Sequence, residues 1–110
     1  MADLAITVTE VEQNDAATRY QLTVKIQAGE NEETVSHQVL GIFINRKYAV
    51  GDTLTTDEYE QIRHFGEATQ AIDKGLALLH YGDHTEKLMM EKLQRRGFSP
   101  EACRAAVDYF

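Results

Sequence analysis

Tryptophan is absent from this 110-residue chain, and cysteine and proline occur once each. The lone Cys103 excludes an internal disulfide, which is typical of proteins in a reducing compartment. It stands among the small residues Ala102, Ala105 and Ala106. We therefore interpret Cys103 as a core residue rather than as a reactive thiol.

Long apolar runs are missing as well. No stretch approaches the roughly 18 apolar residues of a membrane span, and the start of the sequence lacks a basic segment followed by an apolar one. The composition, with 43% apolar and 26% charged residues, is ordinary for a globular protein. We expect a cytoplasmic protein that makes no membrane contact.

Basic residues are scarce in the first part of the chain. Residues 1–60 contain eleven acidic against four basic residues, whereas residues 61–110 contain seven of each, so the net charge of -7 comes from the first part. Affinity for nucleic acid depends mainly on Lys and Arg neutralising phosphates. Direct DNA binding is therefore expected to be weak.

Motifs that carry catalysis are also missing. The sequence has no glycine-rich phosphate loop, no nucleophile elbow and no Cys-x-x-Cys pair. The adjacent acids Glu32-Glu33 and Asp57-Glu58 are explained by solvation at a turn and by the positive pole of a helix. We expect no enzyme, no catalytic residue and no cofactor.

One group of side chains suggests a metal site. His80 and His84 are four residues apart with Asp83 between them, and on a continuous helix both imidazoles could hold zinc. Gly82-Asp83 is expected to end that helix between the two histidines. We favour solvated side chains and predict no metal.

The first half of the sequence predicts a small sheet. Residues 5–12 and 19–28 alternate apolar and polar side chains, and the turn residues 13–15 between them indicate an antiparallel hairpin. Residues 32–35 predict a short third strand. Ser36 then offers a cap for a short helix that ends near Asn45.

The second half predicts helices. Thr55 and Glu58 have the spacing of a capping box, so a helix is expected to begin there and to run to about His64. Gly66 is expected to break or kink this helix before a second one, which ends at about Tyr81.

Residues 85–108 carry start and stop signals for two further helices. Thr85 can cap the first helix, and Gly97, which follows two arginines, is suited to end it. Ser99 and Pro100 then begin the next helix. We predict a helical hairpin with a corner at Gly97 and Phe98.

These elements predict an α+β fold. A small antiparallel sheet of two to three strands comes first, and a helical part that ends in a three-helix repeat follows it. We place a β-rich subdomain with one short helix at residues 1–54 and the helical part at residues 55–110.

Spaced positions in this helical part resemble one three-helix repeat of the RecX regulatory proteins, which modulate RecA recombinase filaments. They are Ala71, Gly75-Leu76, Leu79, Thr85-Glu86, Met89, Lys92-Leu93 and Arg96-Gly97-Phe98. The β-rich part resembles the extension that precedes the repeats in some RecX proteins. The resemblance implies a regulator of RecA in DNA repair, recombination and the SOS response, in a truncated or single-repeat form. An interaction module of the same fold with a different protein partner is the alternative.

A basic cluster is the candidate binding site. Its members are Lys87, Lys92, Arg95, Arg96 and Arg104. In RecX proteins the positive faces of successive repeats line a groove along the RecA filament, which implies a binding role for Lys92, Arg95 and Arg96. The ordinary interpretation is that cations in the last turn stabilise the helix end by about 0.3–1 kcal/mol each. Tyr109 and Phe110 form an exposed aromatic tip that needs a cover. We expect either that the native chain continues past them or that self-association covers them.

Overall fold

A computed structural model describes residues 4–14, 16, 18–44, 46–80, 82 and 85–110 of the chain. The chain divides into two compact units, residues 1–63 and 64–110. The dividing point lies inside a long helix, nine residues after the domain boundary predicted at residue 54. The predicted boundary stays a prediction.

Four strands of the N-terminal unit form one antiparallel sheet within the described residues. They are β1 (Leu4–Gln13), β2 (Arg19–Ala28), β3 (Asn31–Leu40) and β4 (Thr53–Leu54), in the spatial order β3-β2-β1-β4. The predicted α+β class and the predicted hairpin of β1 and β2 are confirmed. The predicted number of two to three strands was too small, because the two-residue β4 pairs with β1.

Apolar pairs across β1 and β2 build the core of this sheet. Val8 lies opposite Val24, and both side chains are fully buried. The register shifts between Val8 and Glu10, so Thr9 forms a β-bulge and donates its hydroxyl to the carbonyl of Thr23 at 3.2 Å. The bulge explains why the apolar alternation of β1 is irregular after Val8.

Strand β3 is longer than predicted, and the predicted helix after Ser36 is wrong. All ten residues of β3 pair with β2, and only a short 3₁₀ helix, Gly41–Phe43, follows. The hydroxyl of Ser36 lies 2.9 Å from that of Thr23, its partner in β2, so it serves the sheet instead of a helix cap. Pairing along the whole of β2 outweighs the local capping signal.

Helix α1 (Thr56–His80) is continuous, so the predicted break at Gly66 is wrong. A single glycine inside a helix costs only about 1 kcal/mol relative to alanine. Gly66 is buried, and so are Ile62, Thr69 and Ile72 at helical spacing on either side. Burial of this face stabilises the helix across the glycine. The predicted capping box is confirmed, because Thr55 and Glu58 exchange hydrogen bonds of 2.9 and 3.1 Å.

Helices α2 (Glu86–Arg95) and α3 (Pro100–Tyr109) form the predicted helical hairpin. The hydroxyl of Thr85 accepts a hydrogen bond from the backbone N–H of Leu88, and the hydroxyl of Ser99 accepts one from that of Ala102. None of the helices in the described part of the chain is long and apolar enough to cross a bilayer.

Candidate functional site

Three of the five predicted cations meet in the C-terminal unit. Lys92, Arg95 and Arg96 line a surface depression of about 310 Å³ together with Leu78 of α1. An adjoining depression of about 490 Å³ is lined by Arg96 again and by Lys74 of α1. We call these four cations, Lys74, Lys92, Arg95 and Arg96, the basic groove.

The second depression also contains uncharged and acidic side chains. Gln70 and Asp73 of α1 line it, and so does Phe98 of the corner. Asp73 is the one acid among the described residues that line either depression. The groove is therefore positive overall, with a polar edge on α1.

Three cations at the end of α2 lie on one side of the helix. Lys92 precedes Arg95 by three residues and Arg96 by four, which puts all three on neighbouring positions of the helix surface. Met89 and Leu93 of the same helix are buried, so the core face lies next to these cations and leaves their charged ends at its margin. The groove is thus a consequence of which face of α2 is apolar.

The end of α2 fixes the position of Arg96. Gly97 has a positive φ of 94°, and its N–H donates to the carbonyl of Gln94. The N–H of Phe98 donates to the carbonyl of Leu93 at 3.4 Å, which completes a Schellman motif. This left-handed turn holds Arg96 at the C-cap and brings Phe98 against the same depression.

Ion pairing differs among the cations of the C-terminal unit. Lys74, Arg95 and Arg96 form no ion pair with any residue that the structure describes. Arg104, by contrast, lies 3.6 Å from the carboxylate of Asp108 in the next turn of α3. The negative pole at the end of α2 offsets part of the positive potential of the groove.

Lys87 and Arg104 do not line the basic groove. Lys87 lies in the first turn of α2, five residues before Lys92 and therefore on a different side of the helix. Arg104 belongs to α3. Their predicted binding role stays a prediction.

A carboxylate fastens α3 to α1. Glu67 accepts hydrogen bonds from the hydroxyl of Ser99 at 2.7 Å and from its backbone N–H at 3.3 Å. The negative charge thus lies at the N-terminus of α3, where the helix dipole favours it. This contact sets the orientation of the corner on which the groove depends.

Cys103 is part of the core of this unit, as predicted. It is fully buried, and burial together with the nearby Glu67 carboxylate raises the pKa of its thiol. A buried thiol with a raised pKa carries little of the thiolate that nucleophilic chemistry needs. Cys103 is therefore a structural residue of the core and not a nucleophile.

The C-terminal aromatic residues lie beside α1. The ring of Phe110 packs so closely on Gly75 that a Cβ atom at this position would overlap the ring. Tyr109 and Phe110 remain 47% and 43% exposed, and their rings contact each other edge to face. Self-association through this pair stays a prediction.

The predicted absence of a metal at the histidine pair stays a prediction, because the structure describes only one of the three side chains. His80 ends α1, whereas Asp83 and His84 lie outside the described residues. Elsewhere in the described chain, no group of three or more His, Cys, Asp or Glu side chains could hold a metal ion.

Sequence reasoning missed two residues of this site, Lys74 and Glu67. Lys74 directly precedes the buried Gly75, so a helical reading of α1 places it at the margin of the core face. This position beside the core face could have identified Lys74 as a candidate neighbour of the α2 cations. Glu67 gave none, because its partner Ser99 is 32 residues away.

The family comparison covers these helices. Residues 71–110 match the family model described as RecX, first three-helix domain. This stretch is similar to the first three-helix domain of RecX proteins. Comparisons with curated proteins and with solved structures gave no match.

The match confirms the predicted RecX-like repeat for the part of α1 after residue 70 and for both α2 and α3. It includes all four cations of the basic groove. The family is one of regulatory proteins. The resemblance of the β-rich part to a RecX extension lies outside the matched residues and stays a prediction.

Proposed function

We propose that this chain is a RecX-like regulator that binds RecA recombinase filaments and modulates their growth or activity. It acts in the cytoplasm, in DNA repair, recombination and the SOS response. The protein performs no chemistry of its own in this proposal. Binding to one state of the filament is sufficient, because a ligand shifts an equilibrium by its difference in affinity for the two states.

One observation carries the proposal: the basic groove lies within the residues that match the RecX domain. Lys74, Arg95 and Arg96 keep their charges available, since none forms an ion pair with a described residue. An acidic protein surface or the phosphates of filament DNA would fit this groove. The contact area of one three-helix domain is small, so we expect weak binding.

Co-sedimentation with RecA filaments on single-stranded DNA tests the proposal. The wild-type protein should pellet with the filaments, and the variant Lys92→Ala/Arg95→Ala/Arg96→Ala should remain in the supernatant. Equal pelleting of both proteins would remove the basic groove from the binding site.

A parallel titration with single-stranded DNA alone separates two sources of binding. We expect DNA without RecA to bind much more weakly than the filament, because the chain carries a net charge of -7. Equal affinity for naked DNA and for the filament would show that RecA contributes nothing.

The alternative is an interaction module of RecX-like fold with another protein partner. The excess of eleven acidic over four basic residues in positions 1–60 favours it, because this surface would attract a basic partner. A RecA ATPase or strand-exchange assay without any effect at high molar excess would support this alternative against the filament role.

A further inference from the structure

The N-terminal unit contains a cavity of about 490 Å³ that the proposed function does not use. Val11 and Leu22, on the core face of β1 and β2, form its apolar floor. Ile44, in the loop after the 3₁₀ helix, completes this floor. Tyr20 and Tyr48 also line it. Volume and lining are those of a site for a small molecule.

The loop wall of this cavity is held in place by its own contacts. The guanidinium of Arg46 lies 4.7 Å from the centre of the Tyr48 ring. Arg46 also forms ion pairs with Glu58 and with Asp52, the latter at 3.3 Å. The carboxylate of Asp52 accepts a hydrogen bond from the N–H of Ala49 at 2.9 Å.

Backbone hydrogen bonds attach the same loop to β1. The N–H of Gly51 donates to the carbonyl of Val8, and the N–H of Val8 donates to the carbonyl of Asp52, both at 2.8 Å. The cavity is therefore largely formed before any ligand arrives. Such preorganisation reduces the entropy that binding costs.

The charge of the cavity is opposite to that of its surroundings. Its described lining includes two cations, Arg46 and Lys47, and no acid, although residues 1–60 contain eleven acids. The charge of Arg46 is met by two carboxylates. Lys47 forms no ion pair with a described residue, so it is the cation that remains for a ligand.

We propose that this cavity binds a small amphipathic anion. An aromatic or branched apolar body lies against Val11, Leu22 and Ile44, between the two tyrosine rings. A single carboxylate or sulfonate lies beside the ammonium group of Lys47. This site is separate from the basic groove and does not depend on RecA binding.

Anilinonaphthalene sulfonate, an aromatic anion, is a direct probe of the site, and phenylnaphthylamine is its neutral counterpart. We expect both dyes to bind the native wild-type protein saturably, with one molecule per chain. Lys47→Met should weaken binding of the sulfonate about fivefold, the upper value for a solvent-exposed ion pair, and leave that of the neutral dye unchanged. Equal sulfonate affinity of wild type and Lys47→Met would overturn the proposal.

A second pair of variants locates the dye. Ile44→Trp, which fills the cavity, should abolish binding of both dyes. Leu76→Ser/Leu79→Ser should leave binding unchanged, because it removes exposed apolar side chains of α1 outside the cavity. Loss of binding in the Leu76/Leu79 variant, with full binding in Ile44→Trp, would place the dye on α1 and overturn the assignment. Lys47→Met changes an exposed side chain, so its result stands even if Ile44→Trp fails to fold.

Discussion

The two units of this chain differ in the contacts that define their strands and their hairpin helices. In the N-terminal unit each strand depends on a partner strand, as Val8 depends on Val24 and Ser36 on Thr23. In the C-terminal unit, α2 and α3 begin on the hydroxyls of Thr85 and Ser99 only three residues from the amides that they cap. Pairing between strands therefore specifies the sheet, whereas caps within a few residues of the helix starts specify the helical hairpin.

The units differ in charge as well. Most acids lie in the first part of the chain, whereas the basic groove lies within the residues that match the RecX domain. An anionic partner would therefore be attracted to the basic groove and repelled by the acidic first part of the chain. This difference restricts where such a partner can dock.

Removal of a buried leucine from either core should have the largest effect on stability. Leu22 of β2 and Leu93 of α2 are both fully buried. Substitution by alanine at either position should lower the free energy of unfolding by about 2–5 kcal/mol, through lost burial and the cavity left behind. Urea unfolding followed by circular dichroism measures both. A loss below about 1 kcal/mol at one position would show that its unit lacks a packed core.

Loss of the Glu67 carboxylate should have the next largest effect. Glu67→Ala leaves the hydroxyl and N–H of Ser99 without their acceptor, so we expect a loss of about 1–3 kcal/mol in the same assay. Glu101→Ala is the matched control, since it removes an exposed acid from the first turn of α3. The control should cost at most about 1 kcal/mol. Equal losses would mean that the contact with α1 contributes nothing beyond charge.

The two threonine caps allow a smaller comparison between the units. Thr55 exchanges two hydrogen bonds with Glu58, whereas Thr85 accepts one from Leu88. Thr85→Ala should cost about 1 kcal/mol, and Thr55→Ala up to about 2 kcal/mol. Thermal unfolding of both variants ranks them. A larger loss of stability in Thr85→Ala than in Thr55→Ala would contradict the reciprocal cap of Thr55 and Glu58.

The smallest effect expected is a pH dependence that belongs to the N-terminal unit alone. Burial, and then the charge of Arg63, lowers the pKa of His37, whose ring lies 3.0 Å from the hydroxyl of Tyr59. His37 therefore binds a proton more readily in the unfolded chain, where its pKa is that of a free histidine, about 6.5, than in the folded protein. The stabilisation that depends on neutral His37 is fully present above the pKa of the unfolded chain. It is lost as the pH falls through the lowered pKa of His37 in the folded protein.

His37→Gln tests this dependence by urea unfolding at a series of pH values from neutral to mildly acidic. The wild-type protein should lose more stability over the series than the variant does. Parallel curves would show that His37 has the same proton affinity in both states.

Sequence reasoning succeeded where the structure depends on neighbouring residues. Thr85, Gly97 and Ser99 predicted the corner correctly because each acts on amides or carbonyls within a few residues. It failed for β3, where the hydroxyl of Ser36 has a cross-strand partner, and at Gly66, where burial of α1 outweighs a local cost.

The candidate site follows the same rule. Lys92, Arg95 and Arg96 share a face because of their spacing on one helix, and the sequence shows that spacing. Lys74 joins them from α1, and Glu67 fixes the corner from the same helix. Such contacts between helices depend on packing, which no local pattern contains.

The most direct test of the central claim compares two double variants that remove equal charge. Arg95→Ala/Arg96→Ala takes two cations from the basic groove, whereas Lys87→Ala/Arg104→Ala takes two from outside it. Fluorescence anisotropy of labelled protein, titrated with RecA filaments, gives the affinity of each. The groove variant should bind at least about tenfold more weakly than the other, as expected for two lost charge-assisted contacts. Equal weakening would show that overall charge, not the groove, determines binding and would contradict the proposed site.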